Sequence, residues 1–416
     1  MGGACSDSID PEPPAPPEPP DQPPPPSPSA PFVAAAVAAA WDHTCAIATS
    51  GVTYCWGDNF SGQLGTGSTN SSSSPVAVSG GYRFTRLVAH RNLNCALTAD
   101  GAAYCWGEGD YGDIGNGSGR PSPVPSPVAG GLRFESLGVG YRHACGISND
   151  RALHCWGSAG AFGLDASEGP PVQLCAGVYD CIPEPVRVAE GVATVAAGMG
   201  TTCAILPSGA AYCWGQNKLG QLGIGSAVDT YKPTPIEGVT FRSITAGYMH
   251  MCGLDTVGRA HCWGSNEHGR LGTQSATVTS CRDHMSRMVP CVLTPAPVAG
   301  THAFAALSAG DEHTCGLTTA GKAYCWGNNE TGQLGNGSQT EASTPSPVAG
   351  GLTFKALNAG ASHTCAIAVS NELYCWGNNE DDTLGVATGE YCTVLRDGAV
   401  FPLPCSRKPV RVGRPS

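Results

Sequence analysis

His43-Thr44-Cys45-Ala46-Ile47, then Tyr54-Cys55-Trp56-Gly57, then Gly62-Gln63-Leu64-Gly65 decide the fold, because this stretch returns along the whole chain. The Cys-Trp-Gly triplet recurs at Cys105, Cys155, Cys213, Cys262, Cys325 and Cys375. Each has a cysteine ten positions upstream: Cys95, Cys145, Cys203, Cys252, Cys315 and Cys365. The seven copies are stepped by 50, 50, 58, 49, 63 and 50 residues. A period of this length marks a solenoid, an array or a propeller. It overrides the two or three domains that 416 residues would otherwise suggest.

Between the paired cysteines lies a hairpin. The run Cys45 to Thr49 meets Ser50-Gly51 and returns as Val52 to Cys55, and the turn elsewhere is Asp100-Gly101, Ser208-Gly209 or Ala320-Gly321. Short apolar runs around a Gly-bearing turn are antiparallel strands. A loop centred on position 50 sets Cys45 opposite Cys55, within disulfide reach. Both faces of the strand are small or apolar, Cys45 and Ile47 on one side and Ala46 and Ala48 on the other. Such a strand needs neighbours on both faces, which radially packed sheets supply. The expected fold is all-β, a seven-bladed β-propeller.

The repeat resembles that of the regulator-of-chromosome-condensation family. Ala359-Gly360-Ala361-Ser362-His363-Thr364-Cys365-Ala366-Ile367 and Tyr374-Cys375-Trp376-Gly377-Asn378 carry the likeness, as do Gly220-Gln221-Leu222-Gly223 and Gly332-Gln333-Leu334-Gly335. It covers about residues 33–412. The resemblance implies a seven-bladed propeller used mainly as a binding platform. This chain departs from cytosolic members of that family by carrying cysteine at both hairpin positions.

Cysteine arithmetic sharpens the point. Fourteen of the 21 cysteines fall in the hairpin pairs, and six more form local pairs: Cys175 with Cys181, Cys281 with Cys291, Cys392 with Cys405. No Cys-x-x-Cys spacing occurs, so zinc and thioredoxin-type chemistry lose their main support. Ten disulfides and an oxidising compartment are expected. Glycine (57) and proline (34) are abundant and charged residues scarce (13%), which suits short strands and tight turns. A net charge of −11 argues against nucleic acid as a partner. No apolar run is long enough to span a membrane.

Residues 1–32 differ from the rest. From Pro11 to Pro31 the chain carries 13 prolines. That composition gives a disordered polyproline-II spacer, at about 3.1 Å per residue reaching roughly 70–80 Å. Ahead of it, Gly3-Ala4-Cys5 resembles the tail of a bacterial lipoprotein cleavage site, without the charged and apolar regions of a signal peptide. We therefore expect a start upstream of Met1 and a lipid on Cys5, the cysteine left over by the ten pairs. The propeller is expected over 33–412, with 413–416 a tail. A Pro-Val strand or close variant precedes copies two to seven, as in Pro75-Val76 and Pro347-Val348, whereas copy one has spacer there. Pro409-Val410-Arg411-Val412 stands at the far end. The expectation is that this C-terminal strand completes the first blade and closes the ring.

Five copies place histidine two before the first cysteine: His43, His143, His250, His313 and His363. Leu93 and Thr201 stand there in the others, so a structural hydrogen bond fits better than a metal ligand. Trp56 and its equivalents are expected to fill the gaps between sheets.

Three insertions interrupt the period, at about 165–183, 273–294 and 386–406, each with its own cysteine pair. Sharing one repeat position, they must emerge on one face. They carry Tyr179, Arg282, Met285, Arg287, Met288, Tyr391, Leu395 and Phe401, side chains typical of interface anchors. The reading is a monomeric, non-enzymatic, extracytoplasmic scaffold, secreted or lipid-anchored, that binds another protein through these insertions and needs no cofactor. The resemblance also implies inhibitor or adhesion roles, since a secreted bacterial member inhibits β-lactamase. The first alternative is guanine-nucleotide exchange on a small G protein, which an oxidising compartment disfavours. The second is a hydrolase or lyase at the propeller axis. No Gly-x-Ser-x-Gly or His-Glu-x-x-His motif supports it, and Asp42, Asp311 and Glu312 scatter without a recurring pair.

Overall fold

The computed structural model describes residues 31–161, 172–274, 278–396 and 399–413. The expected leader, Cys5 and residues 414–416 lie outside these. Seven antiparallel sheets follow one another along the chain, and among the described residues there is no α-helix. Blade one comprises Ala34–Ala39, His43–Ala48, Thr53–Gly57 and Ser72–Ala77. Blades two, four and six have four strands, and blades three, five and seven have five.

The hairpin reading holds residue by residue. Cys45 pairs with Cys55 in register, and Cys95, Cys145, Cys203, Cys252, Cys315 and Cys365 pair likewise with their partners ten residues on. All ten disulfides are formed, including those between Cys175 and Cys181, Cys281 and Cys291, and Cys392 and Cys405. Every residue of His43–Ala48 is buried, as a strand covered on both faces must be.

Between blades, each tryptophan is fully buried. For five of the seven, a carbonyl of the preceding blade's loop accepts from the indole: Trp106 Nε1 donates to Gln63 O (3.1 Å) and Trp376 Nε1 to Gln333 O (3.0 Å), whereas the Nε1 of Trp214 and of Trp326 has no such partner among the described residues. That loop can lie so close only because its last position is glycine. A Cβ on Gly385, at φ +66°, would stand 2.7 Å from Trp56 Nε1. Five of the loops are shaped from within by an asparagine, as where Asn59 Oδ1 accepts from Leu64 N (2.8 Å) while its Nδ2 donates to Ser68 O and Asn70 O.

The histidines form an inter-blade clasp. His143 Nε2 lies 2.9 Å from Thr202 Oγ1, His250 Nε2 2.8 Å from Thr314 Oγ1, and His313 Nε2 2.8 Å from Thr364 Oγ1. His43 Nε2 reaches Asn94 Oδ1 at 3.0 Å, and His363 Nε2 meets Thr44 Oγ1 at 2.8 Å across the seam between blades seven and one. Thr44 already donates its hydroxyl hydrogen to Thr383 O, so it accepts from the His363 Nε2–H. The structural reading of these histidines is therefore the observed one.

Closure of the ring differs from expectation in one respect. The strand holding Pro409 and Val410 pairs with Leu373–Asn378, as the outer strand of blade seven, and does not enter blade one. Each Pro-Val strand belongs to the blade before it, as Val76 opposite Cys55 demonstrates. The C-terminal strand still seals the ring, because the opening residues come to it. Phe32 N donates to Val412 O (3.0 Å) and Leu373 N to Phe32 O (3.0 Å). The Phe32 ring then occupies the place on Trp56 that Phe84, Phe134 and Phe354 occupy on their own tryptophans. Phe32 adds two backbone hydrogen bonds to the seam and supplies its aromatic packing. Phe32→Ala should cost about 3–5 kcal/mol, read as a drop in urea midpoint with tryptophan fluorescence.

Candidate protein-binding face

Both the turn after each innermost strand and the loop after each third strand leave from one end of the blade, since His43 pairs with Gly57 at that end. The turns ring the propeller axis, and the insertions lie on the same face at the rim. The insertions extend the sheets as β-hairpins, with Gln173–Cys175 against Tyr179–Ala189, Thr279–Arg282 against Met288–Pro297, and Glu390–Arg396 against Ala399–Arg411. The first insertion is described only from residue 172.

These hairpins expose what the sequence nominated. Met285, Tyr391 and Leu395 are 65%, 63% and 65% exposed, and Met288, Phe401, Tyr179, Arg282 and Arg287 are also exposed. Leu174, Val178 and Val400 join them and were not singled out. Arg287 is committed within its own hairpin, since its Nε donates to Asp283 Oδ2 at 2.7 Å and Asp283 Oδ1 accepts from Met285 N and Arg287 N. Each hairpin also braces the preceding blade. Tyr179 packs on Tyr111 of blade two (4.4 Å), and Cys281, Val289 and Cys291 bury Leu219 of blade four. Glu330 Oε1 of blade six accepts from Leu395 N (2.7 Å), and Gln339 holds Thr393. Blades two and three, four and five, and six and seven are thereby coupled in pairs.

Nearer the axis lies a second set of side chains. Arg91 stacks on Trp41 (5.1 Å) and on Tyr141 (4.5 Å). Arg142 stacks on Tyr141 (4.7 Å) and on Tyr111 (4.3 Å). With Tyr111 on Tyr179, a ladder of alternating rings and guanidiniums runs from the axial mouth to the hairpin of blade three. Tyr248 adds its ring beside Tyr141 at 6.0 Å. Cation–π contacts of this kind hold the arginines without enclosing them. Arg91 is also paired with Glu108 at 3.1 Å. Blade six brings Asp311 and Glu312 to the mouth across from the ladder, and blade one brings Asp42 beside Trp41. Burial, aided by Glu312, pushes the Asp311 carboxyl up to about 7. Burial followed by Asp381, Asp58 and Glu380 pushes Asp42 up to about 6. The fold brings together acids that looked scattered in sequence. Among the described residues no group of three His, Cys, Asp or Glu is gathered for a metal ion.

Sequence reasoning missed the ladder, apart from Tyr179, because it comes from separate turns. One signal could have found it. The two positions before the clasp histidine, or before Leu93 in its place, read Trp41-Asp42, Arg91-Asn92, Tyr141-Arg142, Tyr248-Met249 and Asp311-Glu312 in different copies. Residues that vary between otherwise constant neighbours mark the part of a repeat freed for contact.

Comparison with known proteins agrees with this architecture. The family model described as RCC1-like domain matches residues 21–357, and that of the regulator of chromosome condensation (RCC1) repeat matches residues 354–382. No curated protein matches the chain. Among solved structures, Prp20p of Saccharomyces cerevisiae is 21% identical, covering 81% of this chain and 83% of that one at a TM-score of 0.67. Human WBSCR16 is 19% identical over 80% of this chain and 86% of that one, at 0.65. The ectodomain of the Physcomitrella patens receptor kinase CR4 is 19% identical over 87% and 76%, at 0.50. At these identities the likeness to solved structures is one of fold. With a family model spanning most of its length, the chain belongs to the RCC1-like domain family.

Proposed function

We propose that this propeller is a non-enzymatic binding platform for another protein, working outside the reducing cytosol. The observation that carries the reading is the composition of one face: a Trp-Arg-Tyr ladder at the centre and disulfide-closed apolar hairpins at the rim. Trp, Tyr and Arg dominate interface hot spots, and hairpins ordered beforehand lose little entropy on binding. Relatives of the same fold support it as proteins that bind proteins: Prp20p is described as binding Gsp1p and histones, and yeast RCC1 as bound by Kap60. Ten disulfides favour an oxidising compartment. The fold itself does not choose one, since the CR4 relative is a receptor ectodomain.

A lipid on Cys5 would tether such a platform to a bacterial envelope through the proline-rich stretch. Intact-mass analysis of native protein tests this: a diacylglyceryl addition on Cys5 is expected, and an unmodified Met1 in a membrane-free fraction would end the idea. For the platform itself, envelope proteins crosslinked to the wild type should be lost when Met288, Tyr391 and Phe401 are changed together to Ala. Equal recovery by wild type and variant would remove the hairpins from the site.

A further inference from the structure

The side chain that stands out on this face is Arg142. Its guanidinium lies between the rings of Tyr111 and Tyr141, and its Nε is buried without an acceptor. Among the described residues it makes no hydrogen bond or ion pair, whereas Arg91 beside it is paired with Glu108. Stacking holds a guanidinium flat but leaves its five donors unmet. The group complementary to that planar fork is a carboxylate. Directly inside the mouth the axis opens into a cavity of about 210 Å³, lined by Val88, Val139, Val195 and Ile244 on blades two to five and by Ser308 and Asn358 on blades six and seven. That is smaller than the roughly 300–1,000 Å³ of a typical small-molecule site, and its aliphatic arc suits a single apolar side chain. Asp311 and Glu312 lie on blade six, across the ring from Arg142 on blade three, so an incoming carboxylate is received at Arg142.

We infer that the axial mouth takes an acidic loop of a partner protein, with an Asp or Glu carboxylate on Arg142 and a neighbouring apolar side chain entering the axial cavity. The inference rests on the platform reading and deepens it. A loop fits better than a free acid because the rim hairpins offer contacts only to something wider than the mouth.

The probe is a displayed library of short disulfide-closed loops, selected on the full-length protein. Selected loops should carry Asp or Glu beside a large apolar residue. Arg142→Ala should weaken them about ten- to a hundredfold, the range of a hydrogen bond to a charged group. Should Arg142→Ala fail to fold, the same answer comes from the loop: changing its acid to the amide should cost wild-type binding a similar factor. Selection of loops without acids, no selection at all, or indifference to both changes overturns the inference. Crosslinked partners separate this from the platform reading. Loss with the hairpin triple variant but not with Arg142→Ala would remove the mouth and leave the platform. Loss with neither would remove both.

Discussion

Reduction of the ten disulfides should unfold the ring at neutral pH and physiological temperature. Each hairpin bond closes a loop of about ten residues, worth roughly 2–3 kcal/mol in a chain-entropy account. The seven hairpin bonds together therefore reach roughly 15–20 kcal/mol, more than the ~5–15 kcal/mol that separates most folded domains from their unfolded chains. The sulfurs are buried, so reductant alone should act slowly, through local opening. Incubation with reductant at moderate urea, followed by dilution, should leave a chain whose seven interior tryptophans emit as if in water. Refolding of the reduced, thiol-blocked chain to the native emission maximum would show that packing alone suffices.

Acid is the second strong lever, and its direction follows from the clasp. Burial, and then a neighbouring positive charge where one exists, lowers the imidazole of His43 to about 4 and those of His143, His313 and His363 to about 3. His250 is lowered too, by burial first and then by Arg270. Each Nδ1 has no partner, so a proton there would find no acceptor. In the unfolded chain the same groups titrate near about 6.5. The unfolded state therefore binds more protons below that pH. Stability from the clasp is whole above about 6.5 and is lost as pH falls toward 3–4, at about 1.4 kcal/mol per pH unit per histidine. Asp113, pushed up to about 8 by burial and then Glu108, opposes this, as do Asp311 and Asp42. These three are outnumbered by the five clasp histidines, so a net fall is expected below about pH 5.

His313→Leu isolates the effect. Leu93 already fills the equivalent place in blade two, and Thr364 keeps its bond to Gln333 O at 3.0 Å. The variant should lose about 1 kcal/mol at pH 7.5 and show an acid slope shallower by about one proton. Urea titrations at pH 7.5 and 5 decide it, and an unchanged slope would show that this imidazole does not couple acid to unfolding.

What the sequence made legible was whatever the period repeats. Cys45 opposite Cys55, the clasp histidines and the tryptophan wedges recur in register, so one correct copy predicts the others. The phase of the blades was not legible. A Pro-Val strand such as Pro75-Val76 lies in the chain between two blades, and only its pairing with Cys55 assigns it to the first. The seam was hidden for the same reason, with Phe32 standing two residues ahead of where Phe84 begins its strand. The face was half legible. Cysteine pairs revealed the hairpins, but Arg287 proved to be tied to Asp283. The ladder of Trp41, Arg91, Tyr141 and Arg142 was lost among unlike turns that only closure of the ring brings together.

The most direct test is a non-reducing peptide map of protein isolated with its thiols blocked at harvest. The account predicts that every Cys-Trp-Gly peptide is joined to the cysteine ten residues upstream, and that the three hairpin pairs are joined within themselves. Alkylated cysteine at those positions in folded protein, or links between different blades, would contradict it.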